Sequence, residues 1–142
     1  YEIIVTLTCN KESELSKLEE IIKTLRSKVN NHHLIDGDAP LHHHIIHKLI
    51  ETKKTISIAE SCTGGLISQL LTELPGASSF LKTSVFNYAN KAKETLLSIS
   101  PKLIKQHGAI NQDIAREMTK NTQKKTESHI AIATTGIAGP TG

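Results

Sequence analysis

The stretch TISIAESCTGGLISQLL, residues 55–71, decides the fold. Its first six residues read as a short buried strand. The tight SCTGG segment follows. Leu66, Ile67, Leu70, Leu71 and Leu74 then recur at helical spacing until Pro75-Gly76 stops the helix. A strand that runs through a glycine turn into a helix exposes one hydroxyl, that of Ser61, at the sheet edge. It also aims N–H groups of the first helical turn at the same place, because these lack acceptors within the helix. Gly64 and Gly65 allow a ligand to approach the main chain closely. A nucleophile beside an N–H cluster is the physics of an oxyanion hole. The same residues also fit an ordinary strand–helix turn with Thr63 as N-cap.

Working outward, the pattern alternates between the two element types. Residues 2–9 alternate and are β-branched, which predicts a strand. Residues 11–29 carry Leu15, Leu18, Ile21, Ile22, Leu25 and Val29 at helical spacing, with Asn10 placed to cap them. Residues 33–36 read as a short strand before the Gly37-Asp38 turn. Pro40 suits the first turn of a helix over residues 40–52, whose expected inner face is Leu41, Ile45, Ile46, Leu49 and Ile50. Residues 82–88 read as a strand and 90–98 as a helix. Ser100-Pro101 opens a short helix that Gly108 ends, and Asn111 caps another that runs to about Lys125. Residues 129–135 form a last apolar strand. Strands alternating with helices predict an α/β layered fold.

Composition narrows the function classes. The 142 residues suffice for one compact domain or a small one with an appendage. With no Trp, two Tyr and two Phe, the core must be aliphatic. A formal charge of +3 with scattered basic residues and no interleaved aromatics does not describe a nucleic-acid binder. No apolar run is long enough to suggest a membrane span. Cys9 and Cys62 form neither a metal-type pair nor a disulfide framework, and a reducing, cytoplasmic location is the expectation.

Further segments can carry chemistry. Tyr88 and Lys93 stand five apart at a strand-to-helix junction and could reach one pocket. ATTGIAGPTG, residues 133–142, is a strand ending in a Gly-rich loop that offers N–H groups to a phosphate or carboxylate, without the pattern of a P-loop or a dinucleotide fingerprint. His43 and His47 are four apart on one helix with His44 beside them. No third ligand is evident, so they are read as a solvated face opposite Ile45, Leu49 and Ile50, and no metal is expected. Cys62 is read as a small residue under the turn, because no histidine is placed to activate its thiol.

Taken together, AESCTGGL (59–66), PGASSF (75–80), Tyr88 with Lys93, HGAI (107–110) and TGIAGPTG (135–142) resemble the C-terminal domain of the CinA family. These competence- and damage-inducible proteins overlap the nicotinamide mononucleotide deamidases. The resemblance covers residues 34–142, and residues 1–33 more loosely resemble the small KH-like linker that precedes this domain. It implies a three-layer αβα sandwich that hydrolyses nicotinamide mononucleotide to nicotinic acid mononucleotide and ammonia, in pyridine nucleotide salvage, without a cofactor. By position it implies Ser61 as nucleophile, Lys93 as base, and Tyr88 orienting Lys93 or the substrate. It implies substrate contacts from Thr63, Gly64, Gly65, Ser78, Thr135, Gly136 and Gly139. The implied partner is the small-molecule substrate, with a homo-oligomer left open. Asn111 stands where the family usually has Ser. The family also continues past TGIAGP, so the domain is expected to be truncated at its C-terminal end. The rival reading is a non-catalytic ligand-binding or scaffold module of a CinA-type protein.

A lysine at its ordinary pKa would be protonated at neutral pH and could not act as a base. The sequence offers desolvation: Val85 and Phe86 lead into Lys93, and Leu96 and Leu97 follow it. Lys91 is expected to stay solvated.

Overall fold

The computed structural model describes residues 7–8, 11–29 and 37–139. The expected strands at 2–9 and 33–36 and the cap at Asn10 lie outside them. The chain divides into two compact units, Tyr1–Leu41 and His42–Gly142. In the first, a single 3-10 turn, Glu12–Glu14, leads into α1 (Leu15–Lys28), none of whose residues is buried.

The second unit carries the sheet. Its elements follow the expected order: α2 (Leu41–Glu51), β1 (Ile56–Glu60), α3 (Leu66–Leu71), β2 (Leu81–Phe86), α4 (Asn90–Leu97), α5 (Pro101–His107), α6 (Gln112–Thr126) and β3 (Ile130–Ala133). The three strands are parallel in the order β2-β1-β3. Strand β1 is central and every one of its residues is buried. Alternate residues of β1 feed two cores. Ile56 and Ile58 pack with Ile46, Leu49, Leu71 and Phe80, beneath α2 and α3. Ala59 packs with Leu97, Ile99, Ile104, Ile114 and Met118, beneath α4, α5 and α6. Helices on both faces of one sheet make the three α/β/α layers. They also explain why every residue of β1 is buried, Ser57 and Glu60 included.

The connections place the site. The chain leaves β1 through α3 to reach β2 on one side, then crosses through α4–α6 to β3 on the other. The strand order therefore reverses around β1. In open parallel sheets, ligands bind beyond the carboxyl ends of the strands at such a switch point. Here that is the end of β1, where Ser61 stands.

Three local findings refine the expectations. Pro101 sits in the first turn of α5, and Gly108, at φ +75°, ends it. Asn111 accepts from the Ile114 N–H at 2.9 Å, and its amide donates to the His107 and Gly108 carbonyls at 2.9 and 2.8 Å. It thus caps one helix while closing the previous one through two donated bonds, of which a serine hydroxyl with its single proton could make only one. The inner face of α2 differs from the expected one. Ile46 and Leu49 are buried while Ile45 and Ile50 are exposed. His42 and His43 stand four and three residues before Ile46, on the inward stripe, and are half-buried. Of the three histidines expected on a solvated face, His43 and His44 are half-buried and only His47 is exposed.

Candidate active site

The site begins with two consecutive residues that leave β1 on opposite faces. Glu60 points toward α3 and Ser61 toward α4. Both are buried.

Glu60 closes the start of α3. Its carboxylate accepts from the N–H groups of Gly65 (3.1 Å), Ile67 (3.1 Å) and Ser68 (2.9 Å) and from the Thr63 hydroxyl at 2.7 Å. The Ser68 hydroxyl donates to it as well, and Ser84 in turn hydrogen-bonds Ser68. Burial alone would raise the carboxyl pKa, but the donors from Ser68, Thr63 and Ile67 outweigh it and hold the pKa below the ordinary value. An anion at a helix N-terminus is favoured by the dipole. One expectation is corrected here. The first-turn N–H groups of α3 are not free for a ligand, because Glu60 takes them. The Leu66 N–H is bonded to the Thr63 carbonyl and the Gly64 N–H to that of Ser61. The turn N–H groups left without a partner among the described residues are those of Cys62 and Thr63.

Ser61 meets Lys93. The amine lies 3.0 Å from the Ser61 hydroxyl and donates to the main-chain carbonyls of Asn87 at 2.8 Å and Tyr88 at 2.9 Å. Lys93 is 2% exposed. The geometry follows from helix stereochemistry. Side chains on a helix lean toward its N-terminus, so the Lys93 amine reaches back to the carbonyls that enter α4. Desolvation lowers its pKa, opposed by the neighbouring Cys62. Of the apolar residues expected to enclose it, Val85 and Leu97 belong to the core below, whereas Phe86 and Leu96 are exposed. Lys91 is solvated and pairs with Glu94 at 3.1 Å, as expected.

The other expected residues divide. The Tyr88 link to Lys93 is made by its carbonyl; its ring is 67% exposed and lies against Phe86. Gly64 and Gly65, at φ +64° and +99°, hold backbone conformations that favour glycine. A Cβ on Gly136 would lie 3.1 Å from the Cys62 sulfur, so the last loop rests closely on the turn and a larger residue would have to displace that side chain by a few tenths of an ångström. Gly139 lies in the same loop with open space around it. Thr135 turns away and donates to the Ala109 carbonyl at 2.8 Å. Ser78 stands apart from the site. It is in a single 3-10 turn, Ala77–Ser79, just before β2, and the next residue, Phe80, pairs with the start of β1. That is the opposite end of the sheet from Ser61.

Thr134 was not foreseen. It follows β3 and accepts from the Ser61 N–H at 3.3 Å, and its hydroxyl lies 2.9 Å from that of Thr63. Because Thr63 donates to the Glu60 carboxylate, its oxygen must accept from Thr134. A directed chain therefore links the Ser61 main chain through Thr134 and Thr63 to Glu60. Its only sequence signal is Thr134-Thr135 ending a strand, which does not say which hydroxyl faces β1.

Comparison with known proteins gives the family and the fold. The CinA C-terminal domain profile matches residues 38–142. The chain belongs to the CinA C-terminal domain family. CinA-like proteins of Prochlorococcus marinus and Chlorobaculum tepidum are 36% and 31% identical to it, each over 99% of the chain. The chain spans about a third of the length of these curated relatives, 33% in both cases. Among solved structures, a competence/damage-inducible protein of Agrobacterium tumefaciens superposes with a TM-score of 0.69 at 32% identity, over 76% of this chain and 68% of that one. The competence damage-inducible protein A of Klebsiella pneumoniae gives 0.69 at 29% identity, over 72% and 63%. No helix among the described residues is long and apolar enough to cross a membrane.

Proposed function

We propose that this CinA-family domain is an amidohydrolase that converts nicotinamide mononucleotide to nicotinic acid mononucleotide and ammonia, with Ser61 as nucleophile and Lys93 as proton carrier. The observation that carries this reading is the buried amine 3.0 Å from the Ser61 hydroxyl, with two carbonyls as its other neighbours. Carbonyls only accept, so they take two N–H groups whatever the charge on nitrogen. The third direction faces a hydroxyl that can accept from an ammonium or donate to an amine. The dyad thus holds both states that proton transfer requires, and desolvation favours the neutral, basic one.

The chemistry follows. As the Ser61 oxygen bonds to the amide carbon, its proton passes to the Lys93 nitrogen, and negative charge collects on the former carbonyl oxygen. The free N–H groups of Cys62 and Thr63 lie on the turn beside the nucleophile and suit that oxyanion. The carbon–nitrogen bond then breaks while Lys93 returns the proton to the leaving nitrogen, releasing ammonia. Water attacks the acyl-serine, Lys93 takes its proton and restores it to Ser61, and the acid departs. No cofactor enters the scheme. The loop of Gly136 and Gly139 and the turn of Gly64 and Gly65 are proposed to receive the nucleotide. The setting we propose is cytoplasmic pyridine nucleotide salvage, with residues 1–33 as the linker element before the catalytic domain.

The test is ammonia release from nicotinamide mononucleotide by the full chain. Ser61→Ala, Lys93→Ala and Lys93→Arg should each lose on the order of 10³-fold or more, about 4 kcal/mol of barrier. Cys62→Ala should keep most of the rate. An active Lys93→Arg would sink the mechanism, because a guanidinium does not give up its proton. Binding of the mononucleotide with no ammonia would favour a non-catalytic module.

A further inference from the structure

We propose that His42, His43 and Glu73 form a binding site for a zinc-class divalent transition-metal ion that clamps α2 to the segment following α3. The two adjacent histidines lie about thirty positions before Glu73 in sequence but converge with it in space. One nitrogen of each imidazole and one carboxylate oxygen all lie within 4.8 Å of one another. The His43 Nε2 is 3.6 Å from the Glu73 oxygen, and the His42 Nε2 hydrogen-bonds that same oxygen. The two rings meet edge to face with centroids 4.6 Å apart.

One of the two spacings to Glu73 already suits an ion, whereas the His42–Glu73 hydrogen bond would open to admit one. Zinc binds histidine nitrogen and carboxylate oxygen at ~2.0–2.2 Å, so tetrahedral ligands sit roughly 3.3–3.5 Å from each other. The His43–Glu73 separation is close to that spacing, beyond a good hydrogen bond. A second observation points the same way. The His43 Nε2 is buried with no hydrogen-bond partner, a costly condition that coordination would relieve. The His42 and His43 side chains are 17% and 22% exposed, whereas Glu73 is half open to solvent at 53%. The pocket is thus walled on the imidazole side and open for water to complete the coordination shell. Imidazole nitrogens with one carboxylate suit zinc, cobalt or nickel better than magnesium or calcium, which prefer oxygen.

The position argues for a structural role. Glu60 caps the first turn of α3, and Glu73 follows its last. The cluster therefore lies about 9 Å of helix away from the Ser61 turn, at 1.5 Å per residue over α3. Both α2 and α3 cover the same face of the sheet, so joining them stabilises that layer without touching the dyad.

The experiment titrates zinc chloride into the full chain, free of any affinity tag and stripped with EDTA, by calorimetry and thermal melting. The expected result is one saturable site per chain and a melting temperature raised by several degrees, as for any ligand that binds only the folded state. His42→Ala, His43→Ala and Glu73→Gln should each weaken zinc by more than the ~10–100-fold that loss of an outer-shell partner costs. His44→Ala and His47→Ala should leave it unchanged. The cobalt(II) absorption spectrum of the unsubstituted chain gives a check independent of variant folding: an intense visible band marks a four-coordinate nitrogen–oxygen site. No saturable zinc binding overturns the proposal. So does binding that survives His43→Ala but is lost in His44→Ala or His47→Ala, or a cobalt spectrum indistinguishable from the aqueous ion.

Discussion

Glu60 and Ser61 are neighbours in sequence, yet their surroundings differ in kind. On the α3 side, every partner of the Glu60 carboxylate is a donor, and the group is held charged. Nothing there can change hands, so this half of the turn is a fixed support. On the α4 side, the Lys93 amine has two carbonyls and one hydroxyl, and burial works against its charge. One of its three partners can reverse direction. The lesson is that saturation makes a buried ionisable group structural, and one reversible hydrogen bond makes it available for chemistry.

The strongest way to break this comparison is to remove the support. Glu60→Ala strands several buried donors at once and should cost about 3 kcal/mol or more, measured by urea unfolding. The sign of the pH dependence is fixed by the lowered pKa. Between its folded and unfolded pKa, Glu60 binds fewer protons in the native state. Its stabilisation is therefore complete above the ordinary value of 4.5 and is lost as pH falls through the lower folded value. Glu60→Gln should lack that acid-side loss and be weaker at neutral pH. A Glu60→Ala protein within 0.5 kcal/mol of the parent, the scatter of ordinary surface changes at roughly that size, would show the cradle to be incidental.

How much of this was legible in sequence depends on the distance the information had to travel. Strand β1, the glycine turn and α3 are local, and their order follows from periodicity and punctuation, although α3 ends at Leu71, short of the expected Pro75-Gly76 stop. Ser61 and Lys93 were legible as a pair only because several motifs occurred together; spacing alone said no more than that Tyr88 and Lys93 could reach one pocket. Glu60 lay inside the quoted motif but read as one more strand residue. Its signal is an acidic residue just before a helix start, with Thr63 and Ser68 placed to donate. Thr134 depends on the register of β3 against β1, which ties the Thr134 N–H to the Ala59 carbonyl, and no local pattern reveals register. The His42–Glu73 contact was hidden for the same reason: it exists only once α2 and α3 share a face.

The two threonines at the end of β3 sharpen the comparison with a smaller effect. Thr134→Val removes the link between the Ser61 main chain and the Thr63–Glu60 arm, at about 1–2 kcal/mol in stability for its two lost hydrogen bonds, the one from Ser61 being long at 3.3 Å. Because it loosens the main chain of Ser61, the proposed nucleophile, it should also lower kcat several-fold with little change in KM. Thr135→Val removes only the bond to the Ala109 carbonyl and should cost similar stability while sparing kcat. Equal kcat losses in both variants would mean that the loop acts as a whole and that no directed chain exists.

The smallest expected change at neutral pH, and the most discriminating, is Lys93→Met. Methionine fills a similar volume, so the core below keeps its packing. The variant loses three hydrogen bonds but no longer buries an amine. Such exchanges of a buried ion for an apolar side chain are often near neutral, and a difference within about 1 kcal/mol is expected at pH 7. The difference should not stay constant. With the folded pKa of Lys93 lowered, the unfolded chain binds more protons than the native one between that value and the ordinary 10.5. Stability of the parent therefore rises with pH across this window, and the variant lacks that rise. Urea unfolding of both proteins at pH 7 and again near the upper end of the window gives the answer, with the difference between them cancelling the titration of other groups. The parent should gain on the variant as pH increases. A parallel response would mean that Lys93 carries the same proton affinity folded and unfolded. The amine would then be an ordinary ammonium holding two carbonyls, and the contrast with Glu60 would vanish.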